Sequence, residues 1–234
     1  MPNIADGASP LRKSLPIFFL IDVSGSMYGE RIAAVNEAMD KLVPQLKEFA
    51  NGEPLIDFTI RVITYGNGKA IWKIGEKKSG IPLPQFDWFA ISDSEVDGGT
   101  PADKALELLS TVTSNDYREY LCGYIGTPMV IIISDGESNG NTPFQVAVDK
   151  FRATKAGGRF IQVAVGIDTQ NNTRATDELS YFGINGFRHC TDNPEQIVNL
   201  ISTATFKSLK QASVKSIKGD TDSGNVNVFE DDIF

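Results

Sequence analysis

The chain reads as an α/β protein, a doubly wound, mostly parallel sheet with one antiparallel edge strand and helices on both faces. Three observations predict it. Segments rich in β-branched and aromatic residues alternate with segments of helical period, the pattern of a parallel sheet covered by helices. Two apolar segments, "LPIFFLID" and "PMVIIIS", are continuous rather than alternating, as central strands buried on both faces require. A Gly-Asn-Gly turn also separates "LIDFTIRVITY" from "KAIWKI", a hairpin that places one antiparallel strand at the sheet edge.

Taken in order, strands are expected at Leu15–Asp22, Leu55–Tyr65, Pro128–Ser134 and Arg159–Ile167, with Lys69–Ile74 as the edge strand and Phe187–Cys190 as a short last one. The first helix is carried by Ile32, Val35, Met39, Leu42, Leu46 and Phe49, spaced 3, 4, 3, 4 and 3 apart. Pro44 is expected to kink it. A second helix opens at "TPAD", where Thr100 supplies a capping hydroxyl, Pro101 the first helical position and Asp103 an acid in the first turn. Ala102, Ala105, Leu106 and Leu109 form its apolar stripe. Further helices are expected at Phe144–Ala156, Arg174–Phe182 and Pro194–Gln211.

At 234 residues this organisation fits one large domain over residues 15–212, after an N-terminal extension of residues 1–14. From Ser213 to Phe234 the chain loses period, gathers Gly, Ser and Asp, and ends in "VNVFEDDIF". That is the composition of a flexible acidic-aromatic tail, and of a short linear segment that docks in an apolar groove.

Composition excludes several classes. A net charge of −8 argues against nucleic acid or an anionic membrane as partner, because both need a basic patch. The lysines of "EKKSG" read as a solvated loop. Cys122 and Cys190 have no CxxC spacing, so neither a disulfide framework nor a zinc site is indicated. The amino terminus lacks a long apolar run, and Leu15–Ile21 is far shorter than the ~20 residues of a membrane span, so a cytoplasmic location is expected. Neither a GxxxxGK loop nor a GxGxxG fingerprint is present, which leaves nucleotide chemistry without support.

The expected site lies at the carboxyl ends of the strands, where open α/β sheets bind ligands. Asp22 ends the first strand and Ser24 and Ser26 follow it. Asp135 ends "PMVIIISD", and Thr100 stands behind the flexible "DGG". Five short oxygen donors with no His or Cys suit a hard cation that keeps part of its water, magnesium above all, with manganese and calcium as further candidates.

These residues carry a family resemblance. Asp22-Val23-Ser24-Gly25-Ser26 resembles the DxSxS of the metal-ion-dependent adhesion site (MIDAS) in von Willebrand factor A (vWA) domains, Thr100 in "GGT" its threonine, and Asp135 in "ISDGES" its second aspartate. The likeness spans about Leu15 to Lys210 and implies a vWA, Rossmann-like fold. It implies that Ser24, Ser26 and Thr100 contact the metal directly, that Asp22 and Asp135 act mostly through water, and that an Asp or Glu of a protein partner completes the shell. The start "FLIDVSGSMYGERIAAVNEAM" is similar to the bacterial tellurite-resistance TerY-like proteins. That narrower likeness implies a cytoplasmic stress-associated protein working beside phosphatase-like and kinase-like partners.

Other readings stand beside this one. Ser and Asp cap helices and turns in any α/β protein, although capping alone does not bring five oxygens into this order. A structural scaffold in which the metal only ties loops together uses the same five residues. A serine hydrolase is suggested by "GESNG", with Ser138, Asp168 and His189 in the chain order of the α/β hydrolases. Against it, Asp135 interrupts the strand before the motif, and "NGNTP" after it is poor helix sequence, so no enzymatic activity is expected. Trp88 and Phe89 in "DWFAIS" read as packing residues, or else as a recognition patch near the rim.

Overall fold

The computed structural model describes residues 13–53, 56–76, 79–113, 127–190 and 193–218. Cys122, Leu55, the lysines of "EKKSG", residues 1–12 and the end of the chain from 219 lie outside them.

The elements in chain order are β1 (Lys13–Asp22), α1 (Glu30–Asn51), β2 (Ile56–Gly66), β3 (Lys69–Ile74), β4 (Ile81–Pro82), α2 (Ala102–Thr113), β5 (Met129–Ser134), α3 (Phe144–Ala153), β6 (Ile161–Ile167), α4 (Thr173–Phe182), β7 (Gly186–Cys190) and α5 (Pro194–Lys218). The sheet runs β3-β2-β1-β5-β6-β7, and the short β4 also pairs with β2. All neighbours from β2 to β7 are parallel. β3 and β4 are antiparallel to β2 on its outer edge, as the hairpin signal required.

β1 shows why the apolar run is unbroken. Alternate side chains of a strand point to opposite faces, and here both faces are covered. Leu15, Ile17, Phe19 and Ile21 pack with α1 and α5, while Phe18 and Leu20 pack with α2, α3 and α4. α1 stays continuous through Pro44, which sits on its exposed side. α2 opens at Ala102, and the Thr100 carbonyl, rather than its hydroxyl, accepts the Ala102 amide at 3.0 Å. α5 runs on through Lys218, into the stretch whose composition suggested a tail, because neither glycine nor proline interrupts it before Gly219. No helix among the described residues is long and apolar enough to cross a membrane.

The chain leaves β1 for β2 on one side and reaches β5 on the other, so the strand order reverses between β1 and β5. Ligands of open α/β sheets bind beyond that point. The register there forms a staircase. Ile21 lies opposite Ile133, and Ser134 opposite Gly166. The carboxylates that end β1 and follow β5 and β6 therefore rise stepwise along the rim, Asp22 lowest, then Asp135, then Asp168.

Candidate functional site

After Asp22 the chain turns sharply, pinned by backbone bonds from the Val23 amide to the Tyr65 carbonyl (2.9 Å) and from the Gly25 amide to the Gly98 carbonyl (2.8 Å). A short 3-10 turn over Gly25–Met27 buries Met27 under the loop and leads through Gly29, at φ 81°, into α1. The start of the loop is thereby anchored, and its Ser26 hydroxyl meets Asp135.

Asp22 has no exposed surface. One oxygen accepts the Ser24 amide at 2.8 Å and the other the Ser134 hydroxyl at 2.5 Å. Burial pushes its pKa up from 3.8 to about 7, outweighing the hydrogen bonds from Ser134 and Ser24, and the charge of Asp135 adds to the rise. Ser26 donates its hydroxyl to Asp135 Oδ1 at 2.8 Å. That proton is then committed, so in the 3.1 Å contact between the hydroxyls of Ser24 and Ser26 the donor is Ser24.

Thr100 is held by Asn139. The Thr100 amide donates to Asn139 Oδ1 at 2.7 Å, and the Asn139 amide returns a bond to the Thr100 carbonyl at 3.0 Å. Its hydroxyl lies beside Gly136, next to Asp135. Four of the five expected residues, Asp22, Ser24, Thr100 and Asp135, are buried; Ser26 is exposed. The structure brings all five to one rim, joined directly from Ser24 through Ser26 to Asp135, with Asp22 beneath and Thr100 alongside.

Whether these residues fit a small hard cation is a question of donors and spacing. Oxygens at ~2.1 Å from an octahedral ion lie about 3 Å from one another, and the separations along Ser24, Ser26 and Asp135 are 3.1 and 2.8 Å. The donors are hydroxyl and carboxylate oxygens only, which suit magnesium and not zinc. Among the described residues no group of three or more His, Cys, Asp or Glu is placed to hold a metal, so a cation here depends on the hydroxyls.

Ser138, Asp168 and His189 do not assemble. The Ser138 hydroxyl donates to the Thr100 carbonyl at 3.3 Å and its amide to Glu178 at 2.6 Å. His189 Nδ1 bonds the Thr169 hydroxyl at 2.7 Å, and Asp168 meets Arg31. Trp88 packs against the core and donates to Asn36 at 3.3 Å, whereas Phe89, expected beneath the surface, is 65% exposed.

Four residues that the motif did not indicate shape the site: Arg31, Ser134, Asn139 and Glu178. Ser134 was legible as a hydroxyl at the end of an apolar strand. The other three act across long sequence separations and left no local signal.

No protein-family model matches the chain, and no curated protein matches it. Among solved structures it is similar to proximal thread matrix protein 1 of the mussel byssus, with TM-score 0.56 and 17% identity, over 85% of this chain and 49% of that one. It is similar to the vWF domain of the type V pilus tip protein Mfa5 of Porphyromonas gingivalis, with TM-score 0.52 and 12% identity, over 86% and 97% of the two chains. The pilus adhesin SpaC of Lactobacillus rhamnosus GG follows at TM-score 0.53 and 12% identity, over 88% and 31%. The chain spans about half the length of the byssus protein and a third of the adhesin. With a mostly parallel sheet, one antiparallel edge and a strand-end rim at the switch point, the chain has a vWA-like fold.

Proposed function

We propose that the chain is a metal-dependent protein-binding module. In this reading Ser24, Ser26 and Thr100, with Asp22 and Asp135, hold a divalent cation of the magnesium type, manganese and calcium being the alternatives, and the rim captures an Asp or Glu of a partner protein. The observation that supports it is the continuous line of oxygens from Ser24 through Ser26 to Asp135, above buried Asp22 at the switch point. When bound, such an ion supplies an electrophilic position for an incoming carboxylate.

The chain's own residues prepare the rim. Ser134 and the Ser24 amide orient Asp22, Asn139 locks the Thr100 backbone, and the Gly25–Gly98 bond holds the serine loop beside the "DGGT" loop. Neutral hydroxyls in the donor set leave an ion less satisfied than carboxylates would, so an outside carboxylate is welcome. Two structural neighbours, a pilus adhesin and a pilus tip protein, are in keeping with a binding role.

We extend the reading to a bacterial stress system of the tellurite-resistance kind, cytoplasmic, with phosphatase-like or kinase-like proteins as partners. Its support is the resemblance carried by "FLIDVSGSMYGERIAAVNEAM". Binding, not catalysis, is the proposed activity, and the separation of Ser138 from His189 by different hydrogen-bond partners supports that choice.

A scaffold reading, in which the ion only ties the loops together, is favoured by one observation, the Gly25–Gly98 bond that already joins the serine loop to the "DGGT" loop. Titration calorimetry with magnesium, manganese and calcium tests the first reading: one site is expected, lost on Asp22→Ala combined with Thr100→Ala. Capture of native partners with and without chelator then separates the two. Metal-dependent capture supports the module, and metal-dependent stability without it supports the scaffold.

A further inference from the structure

The rim carries its own cation. Arg31, in the first turn of α1, donates through one nitrogen to Asp135 Oδ2 at 2.5 Å and to the Ser26 carbonyl at 3.0 Å. Its other terminal nitrogen reaches Asp168 Oδ2 at 3.3 Å. With Ser26 on Oδ1, both oxygens of Asp135 are engaged, and the Asp135 side chain is only 1% exposed against 32% for Arg31. Asp168 is placed for this bridge by an uncommon backbone. It has φ 53°, a conformation that Asp tolerates better than most residues, and its amide bonds the Cys190 carbonyl at 2.8 Å.

We propose, on the strength of the metal reading above, that Arg31 is an intrinsic competitor for the ion: a guanidinium clamp across Asp135, Asp168 and the Ser26 carbonyl that must release Asp135 before a divalent cation is held. Three physical points carry this. A guanidinium is a fixed positive charge at the rim. A dication held by the Ser24 and Ser26 hydroxyls and Asp135 stands within a few ångströms of that charge in a partly buried setting, where repulsion is poorly screened. Asp135 also cannot serve both cations fully, since the oxygen facing Arg31 is already in a short charge-assisted bond. Asp168, further up the staircase and 27% exposed, remains within reach to keep the freed guanidinium at the rim. Arg31 thereby sets the ion concentration at which the rim becomes competent, and it acts through Asp135 as a positioning residue.

Magnesium titrations of wild type, Arg31→Gln and Arg31→Lys test the clamp, with thermal unfolding in chelator confirming that each variant folds. Arg31→Gln is expected to bind magnesium about tenfold more tightly, the scale of one lost charge-assisted hydrogen bond. Arg31→Lys keeps the charge but loses the planar fork that spans three acceptors, so its affinity is expected between wild type and Arg31→Gln. Uptake by Arg31→Gln where wild type binds no ion also supports the clamp. Arg31→Lys matching wild type while Arg31→Gln tightens reduces the effect to charge alone and overturns the clamp. Unchanged or weaker binding in Arg31→Gln overturns it as well. Absence of binding in all three proteins sinks the metal reading itself, and the clamp with it.

Discussion

The Ser134 hydroxyl donates to Asp22 Oδ2 at 2.5 Å, joining the ends of β5 and β1 through a carboxylate with no exposed surface. A buried acceptor that loses its donor bears its full desolvation cost. Ser134→Ala is therefore expected to lower stability by about 1–3 kcal/mol, a range set by that cost. Denaturant unfolding in chelator measures it. A loss below a few tenths of a kcal/mol would show that Ser134 does not support Asp22.

The same burial makes the ion-free fold sensitive to pH. Asp22 keeps its proton to about pH 7 when folded, against 3.8 for an ordinary aspartate. Between those values the unfolded chain has released the proton and the folded chain has not, so folding takes one up. The contribution of this group to stability therefore declines as pH rises from about 4 to about 7 and is flat above. Unfolding free energies of wild type in chelator should show that decline, and Asp22→Asn should flatten it. Protons also compete with an ion for this carboxylate, so magnesium affinity should weaken as pH falls below about 7.

Much of the fold was legible because burial on two faces leaves a plain mark. Strands such as β1 and β5 cannot alternate when helices cover both sides, and α1 shows its stripe at every turn. The five candidate residues could be picked out because Asp22, Ser24, Ser26 and Asp135 end a strand or stand in the loop just beyond one, and Thr100 stands just before a helix. What escaped depends on reach rather than local pattern. Arg31 lies outside the apolar stripe of α1, yet its guanidinium meets Asp135 and Asp168, 104 and 137 positions away. Glu178 of α4 carries no sequence signal of its role, yet it is buried and accepts the Ser138 amide. Phe89 has the size of a core residue but lies in a loop whose neighbour Trp88 takes the packing position.

Gly98 joins the two loops that frame the rim. It has φ 70°, and a Cβ there would meet the Asn67 backbone at 2.6 Å, while its carbonyl holds the Gly25 amide. Gly98→Ala must move that backbone and with it the Ser24–Ser26 loop. It is expected to cost at least about 1 kcal/mol, the scale of a left-handed position given to a residue with a side chain. Magnesium binding should weaken in parallel. Stability lost with ion affinity intact would uncouple the "DGGT" loop from the serines.

The remaining question of chemistry turns on Ser138. A serine nucleophile needs a base within hydrogen-bond reach, typically 2.6–3.2 Å, and that base needs an orienting partner. Ser138 is buried and donates instead to the Thr100 carbonyl, its amide tied to Glu178. His189 is engaged by Thr169 and stacks edge-on with Phe187, with burial lowering its pKa below the usual histidine value. Asp168, which would orient the histidine, is taken by Arg31. A fluorophosphonate probe is therefore expected to leave the native protein unlabelled at Ser138, and Ser138→Ala should change stability rather than any hydrolytic rate, because its hydroxyl joins the Asn139 amide on the carbonyl of Thr100. Labelling of the wild type that disappears in both Ser138→Ala and His189→Ala would reverse this conclusion and place a working nucleophile beside the rim.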